Sequence, residues 1–316
     1  MRIYLTGAGG FVGSNLAHVF AQRHGAEVIA PTHGDLDVTD AGLVRRSVAA
    51  TRPDAIVHAA IWNDPVRLRR DRHRAWEAYV GATRNLTDAA NAVGAQMLLI
   101  STDWVFDGTQ APADESEPPQ PINAYGFLKA CSELVVGERA QRGTVARVSG
   151  VQGIHRAQAT APRSQDAGFG YLALSVVRAL RRGERFAVWD GPGLNRFATP
   201  TLATDAAELI WRALELGATG TLHCCGGEHC DRVELARRAA RAFELDDELI
   251  DVVAPPPEQI PAEGVPLDTR LDATRTAATL GIEPAGLDLT LARLRAELEQ
   301  TELEQTALAR TAESPA

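Results

Sequence analysis

The stretch Thr6-Gly7-Ala8-Gly9-Gly10-Phe11-Val12-Gly13 closes the first apolar run, Ile3 to Thr6, and opens a segment with Val12, Leu16 and Phe20 on one helical face. A glycine turn with a strand before it and a helix after it constrains the fold more than any other feature of the chain. Gly7 permits the tight turn, Gly10 lets a backbone approach a pyrophosphate, and Gly13 lets the helix pack closely on the sheet. The free N–H groups and positive helix end then receive phosphates. Gly25 ends the helix as a left-handed cap. Val28 to Ala30, Ala55 to Ala60, Met97 to Ser101 and Val145 to Val148 are further short apolar runs, separated by amphipathic segments, one of them capped by Asp40. Such alternation predicts an α/β fold of the Rossmann type: a doubly wound parallel sheet, covered on both faces, that binds ligands at the carboxyl ends of its strands.

Tyr125 and Lys129 stand four residues apart in NAYGFLKA, about two dozen residues after the Ser-Thr-Asp run of ISTDWVFDG. On a helix they share one face, one turn apart. A free tyrosine titrates near about 10, and a neighbouring ammonium, together with the positive ring of an oxidised nicotinamide, is expected to bring that value toward the working range. Thr102 ends the preceding strand, so its hydroxyl can donate to the same substrate oxygen. In the reducing direction hydride passes from nicotinamide to a carbonyl carbon while Tyr125 supplies the proton to oxygen, with Lys129 also holding the nicotinamide ribose. The tip of the second strand reads Ala30-Pro31-Thr32-His33-Gly34 and lacks the acidic residue that would hold a ribose 2′-hydroxyl. That absence points to NADP(H) over NAD(H), with Thr32 and His33 left to meet the 2′-phosphate. Asp37 is the better candidate for the adenine amino group.

Composition narrows the partners. A chain of 316 residues forms one large domain, or a large one and a small one. Its formal charge of -9 and pI near 5.4 give no electrostatic reason to expect nucleic acid or an anionic membrane. No signal peptide or spanning segment is visible, and four cysteines in a chain this long fit a reducing cytoplasm. His223, Cys224, Cys225, His229 and Cys230 invite a zinc reading, but adjacent cysteines on a strand point to opposite faces and the spacing matches no common finger. No metal is expected. The polar segment His155 to Gly168 reads as a loop, either a lid or a surface insertion. Leu291, Leu294 and Leu298 predict a packed terminal helix that dissolves into a polar tail.

The segments TGAGGFVGSNL, LDVTD, PDAIVHAA, GATRNL, STDWVFDG, NAYGFLK, FATPTLATDAA and RLDATRTAATLGI resemble those of the extended short-chain dehydrogenases, and within them the dTDP-4-dehydrorhamnose reductases. The resemblance implies Thr102, Tyr125 and Lys129 as catalytic residues. It implies cofactor contacts from Gly7, Phe11, Val12, Asp37, Val38, Ala59 and Ala60, beside the Gly10 and Gly13 of the turn itself, with Asp103 and Trp104 lining the sugar side. It implies a small-molecule partner, a nucleotide sugar, and is compatible with a homodimer. The expected partition is a dinucleotide-binding domain over 1–150 with a return segment 186–217, a smaller mixed α/β substrate domain over 151–185 and 218–300, and a polar tail over 301–316. The chain departs from the family at Val265, where arginine is usual, at Gly81, where asparagine is usual, at Trp104 in place of tyrosine, and in the longer 155–168 loop. Arg196 is the candidate replacement for the missing anion contact, a surface arginine being the other reading. Two other functions fit the same residues: a non-catalytic cofactor-binding regulatory subunit, as in the β subunit of methionine adenosyltransferase, and a nucleotide-sugar epimerase or dehydratase.

Overall fold

The strands begin and end within two residues of the apolar runs: Arg2–Thr6 (β1), Glu27–Ile29 (β2), Ala55–His58 (β3), Gln96–Thr102 (β4) and Gly143–Val148 (β5). Further along come Val151–Gln152 (β6), Phe186–Trp189 (β7), Phe197–Ala198 (β8), Thr201–Leu202 (β9), Gly220–His223 (β10), Cys230–Asp231 (β11) and Ile250–Val253 (β12). The helices are Phe11–His18 (α1), Ala41–Thr51 (α2), Pro65–Arg70 (α3), Arg72–Trp76 (α4), Ala82–Val93 (α5), Ala124–Arg139 (α6), Leu172–Arg181 (α7), Ala203–Leu216 (α8), Arg232–Ala242 (α9), Thr274–Leu280 (α10) and Leu287–Ala312 (α11). These come from a computed structural model that describes residues 1–62, 64–158 and 164–312.

Six strands form one parallel sheet in the order β10-β5-β4-β3-β1-β2. Side chains alternate across it because the strand period is two. Ile3, Leu5, Val57 and Leu98 meet Leu16 of α1, Phe20 of the π-type segment Val19–Arg23 that follows it and Ile210 of α8 on one face, while Tyr4, Ile56, Met97 and Leu99 meet Val44, Val48, Leu86 and Val136 of α2, α5 and α6 on the other. Since β1 has β2 on one side and β3 on the other, the chain reverses its direction of travel there, and the crevice above the carboxyl ends of β1 and β3 is the switch point where such sheets take ligands.

A second core joins α7, α9 and α11 to the β7–β12 pair, with Leu172, Val176, Leu235, Leu291, Leu294 and Leu298 buried in it. Three details differ from the sequence reading. Of the return segment, only α8 packs on the main sheet, whereas β7 pairs in the second core. β10, expected among the substrate segments, instead closes the main sheet beside β5, in the register Gly220↔Thr144 to His223↔Arg147. Its Gly-Thr-Leu-His sequence has too few apolar residues to announce a sheet strand, and long-range bonds from Gln96 and Thr144 to the Ala218 carbonyl set its start. The polar tail also continues as helix through Ala312. Hydrogen bonds one turn apart, Gln300 to Glu304 and Thr301 to the Glu297 carbonyl, and the Arg181–Glu302 ion pair carry the helix past its last buried leucine.

Candidate active site

The glycine turn is built as its spacing requires. Gly7 adopts φ +81°, and a Cβ there would lie 2.5 Å from the Ala60 nitrogen and 2.6 Å from the Ala59 carbonyl carbon. At Gly13 a Cβ would lie 2.0 Å from the Gly7 carbonyl oxygen, so helix and turn touch backbone to backbone. Gly9 differs: a Cβ there meets nothing within 4 Å, and at Gly10 only the Gly7 oxygen at 3.3 Å. No side chain caps α1. The first N–H groups of that helix are therefore left for an external acceptor, which is the cradle a diphosphate requires. Phe11 turns toward the later segments, its ring 5.0 Å from Tyr171 and 5.9 Å from His155, while Val12 is packed in the sheet core.

Two buried groups connect this turn to the tyrosine–lysine pair. The Thr6 hydroxyl and His58 Nδ1 are 2.7 Å apart across β1 and β3. His58, in turn, is depressed to about 3 by burial and then by the Lys129 charge. Lys129 is buried on α6, and its ammonium donates to the Ile100 carbonyl at 2.7 Å and sits 5.7 Å from the Tyr79 ring centre. Burial lowers its pKa to about 8, against the opposing pull of Glu133 one turn on. Tyr125 is half-buried by area. Its phenol nonetheless lies deep enough that desolvation pushes it up to about 12; the Thr102 hydroxyl pulls it down and the Asp103 carboxylate adds to the rise. In the protein alone burial sets the phenol high, and the Lys129 ammonium gives its hydrogen bond to the β4 backbone.

The remaining predicted residues divide into two sets. Asn123, which the sequence did not single out, caps α6 by accepting from the Gly126 nitrogen at 2.9 Å and fixes the start of the helix that carries Tyr125 and Lys129. Trp104 presents its edge to Tyr125 at 6.3 Å, and Gly168 leaves room for its indole. Asp103, expected to line the sugar side, is buried, and its carboxylate accepts from Thr269 at 2.6 Å, Ser149 at 2.8 Å and Thr102 at 3.0 Å. Arg196, the candidate anion contact, pairs with Asp190 through two bonds of 2.7 and 3.1 Å. At the β2 tip, Asp35 takes both the nitrogen and the hydroxyl of Thr32, so that hydroxyl is not free for a phosphate. Asp37 is exposed and held below the ordinary carboxylate range, first by Thr39 and then by the charges of His33 and Arg74. Val38 is fixed by the Asn85 side chain, which donates to its carbonyl.

Several residues of this centre come from elements that sequence reading passed over. Tyr79 lies in a π-type turn, Glu77–Gly81, a distortion that recurs at functional sites. Its ring stands edge-on to Tyr125 at 6.3 Å. Gly81 does not face the pair; a side chain there would meet Glu77. A compositional signal also went unused, for Lys129 is the only lysine among 32 basic residues. The polar 155–168 segment lies partly outside the described residues, but its far end is fastened by buried Arg232, which bonds the carbonyls of Asp166, Gly168 and Trp189. His223 is occupied by Arg147 and the Asp272 carbonyl, and His229 by Thr199. Among the described residues no three histidine, cysteine or acidic side chains gather as a metal site would need. A cavity of about 230 Å³ bordered by Asp205, Cys225, Thr290 and Arg293 holds none of the predicted site residues. No helix among the described residues is long and apolar enough to cross a membrane.

A parallel sheet with this glycine cradle at its switch point, and a tyrosine and lysine one helical turn apart beside a strand-ending threonine, defines an extended short-chain dehydrogenase/reductase. Comparison with known proteins narrows the assignment. The chain belongs to the family described as RmlD substrate binding domain, whose profile matches residues 1–300. A dTDP-4-keto-6-deoxy-D-glucose reductase of Streptomyces niveus is 30% identical over 247 residues, covering 78% of this chain and 80% of its own. Methionine adenosyltransferase 2 subunit beta of Bos taurus is 28% identical over 291 residues, covering 89% and 83%. The crystal structure of dTDP-4-dehydrorhamnose reductase from Bacillus anthracis str. Ames in complex with NADP shares the fold, with a TM-score of 0.78 at 23% identity over 94% of this chain and 99% of that one.

Proposed function

We propose that the chain is an NADPH-dependent reductase of a keto group on a nucleotide-activated deoxysugar, with Tyr125 as proton donor. The observation that carries this reading is the gathering of Thr102, Tyr125 and Lys129 at the carboxyl ends of the strands, joined through His58 and Thr6 to the glycine cradle. The first N–H groups of α1 would hold the diphosphate, Gly7 and the Ala59–Ala60 backbone would shape its bed, and Asp37 and Val38 would meet the adenosine end. When bound, the reduced nicotinamide supplies a hydride to the carbonyl carbon. Tyr125 gives its proton to the carbonyl oxygen, so the ketone becomes an alcohol and the phenol a phenolate. A phenol raised to about 12 is fully protonated at neutral pH, the state a donor needs. Thr102 would turn its hydroxyl from Asp103, to which it donates at 3.0 Å, to donate to the same oxygen, and the Lys129 charge one turn on would stabilise the phenolate.

Burial of Asp103 among three hydroxyls supports a reductase over a dehydratase, since no carboxylate beside Thr102 is left to act as an extra acid. Incubation with NADPH and a panel of 4-keto nucleotide sugars tests the reading: steady oxidation with at least one is expected. A chain that binds NADPH and consumes none across the panel is a regulatory subunit instead.

Arg74 and His33, both close enough to pull Asp37 down, are proposed to meet the 2′-phosphate in place of the engaged Thr32 hydroxyl. Arg74→Ala should lower kcat/KM for NADPH about tenfold, roughly the value of one charge-assisted bond, and leave NADH within about twofold. Equal losses with both coenzymes would remove Arg74 from that role.

A further inference from the structure

Lys129 has a crowded but sparsely charged neighbourhood. Its ammonium donates to the Ile100 carbonyl from β4 and lies 5.7 Å from the Tyr79 ring centre of the π-type turn, within the field of His58 from β3 and of Glu133 on its own helix, where Tyr125 stands one turn before it. Glu133, one turn beyond, is 7% exposed and takes a 2.5 Å bond from the Ser101 hydroxyl. Arg147 of β5, 3% exposed, grips the same carboxylate at 2.7 and 3.0 Å. Behind Arg147 stand the Phe106 ring at 4.9 Å and His223, which burial pushes down to about 4, with Glu115 beyond it. Asp103 bears on Tyr125 from the other side. A buried ammonium thus lies one helical turn from a buried carboxylate that Arg147 holds directly, and Ser101, which orients that carboxylate, follows directly on the residue whose carbonyl receives the lysine.

We propose that Glu133, held by Arg147 and Ser101, is the counter-charge of the Lys129 ammonium and hence a positioning residue for the reduction. Its part in turnover rests on the reductase reading above; its electrostatic part does not. Leaving a buried cation without its counter-ion is strongly unfavourable. An arginine does not give up its proton in a protein, whereas a lysine does. Removing the Glu133 charge therefore falls on Lys129, which deprotonates and no longer stabilises the phenolate at Tyr125. Glu133→Gln is the appropriate change because it keeps the shape and an acceptor for Ser101 and Arg147 while deleting the charge.

Because the chain has one lysine, protein grown on lysine labelled with 13C at Cε gives one side-chain signal, and its titration is that of Lys129 alone. The full chain should titrate near 8. In Glu133→Gln the midpoint should fall by at least about one unit, a tenfold change in the equilibrium. The alkaline limb of kcat for NADPH oxidation should move with it, so that activity lost at pH 7.5 returns near pH 6. Ser101→Ala, which keeps the charge but loosens its hold, should move the midpoint in the same direction by less, and serves if the glutamine variant does not fold. A midpoint that stays in place in the folded glutamine variant, or in Ser101→Ala if only that one folds, overturns the proposal. So does a kcat lowered equally at every pH, the mark of a purely structural role. Wild-type protein that consumes no NADPH overturns the reductase reading instead, and leaves the lysine titration to judge the counter-charge separately.

Discussion

Tyr125→Phe is expected to lower kcat for keto-sugar reduction by between about a hundredfold and ten-thousandfold, the range spanned by loss of a positioned general acid, while leaving the dissociation constant for NADPH within about twofold. The substitution removes one oxygen and keeps the ring that packs between Tyr79 and Trp104, so the packing of α6 is retained. The cofactor cradle lies on β1 and α1 and does not involve the phenol. Loss confined to kcat would mark an interaction made in the transition state; a matching loss of NADPH affinity would show that Tyr125 serves binding instead. Steady-state kinetics on the best substrate of the panel, with a fluorescence titration of NADPH, separates the two. A variant that keeps near-normal turnover removes Tyr125 from the mechanism.

Gly13→Ala should abolish measurable NADPH binding, a loss of at least about a hundredfold, and destabilise the fold by about 1 to 3 kcal/mol, the usual cost of forcing a methyl into filled space. The reason is geometric: the new Cβ would stand 2.0 Å from the Gly7 carbonyl oxygen, and the obstructing atom is backbone that cannot swing aside. Either α1 lifts from the sheet or the turn opens, and both take the first N–H groups of the helix off the diphosphate. Gly9→Ala is the matched control, since its Cβ meets nothing within 4 Å and its thermal midpoint should equal that of the wild type. Calorimetry and NADPH titration on the two variants give the comparison. Equal binding by Gly13→Ala and the wild type would mean that the dinucleotide does not use this turn.

What the sequence made legible was local and periodic. The glycine turn, the strands that carry apolar runs and the one-turn spacing of Tyr125 and Lys129 are encoded in consecutive residues, and each stands where its pattern put it. Residues brought in by the sheet order were not legible in this way. His58 reaches Lys129 only because β3 lies between β1 and β4, and Arg147 reaches Glu133 only because β5 flanks β4. The partners of Asp103 and Arg196 were hidden for a related reason: Thr269, Ser149 and Asp190 are brought in by folding, and nothing in STDWV or LNRF announces them. Burial also raises the Tyr125 phenol in the protein alone, an effect that depends on surroundings rather than spacing. Glu133, by contrast, stands four residues past Lys129 and was visible as a helical neighbour all along.

The most direct test of the account follows a label. NADPH carrying deuterium at nicotinamide C4 should hand it to the carbon of the keto group, giving a product sugar heavier by about one mass unit and an alcohol where the ketone was, with no such product from Tyr125→Phe. Stoichiometric binding of the labelled NADPH with the deuterium still on the nucleotide, across every 4-keto nucleotide sugar offered, would contradict it.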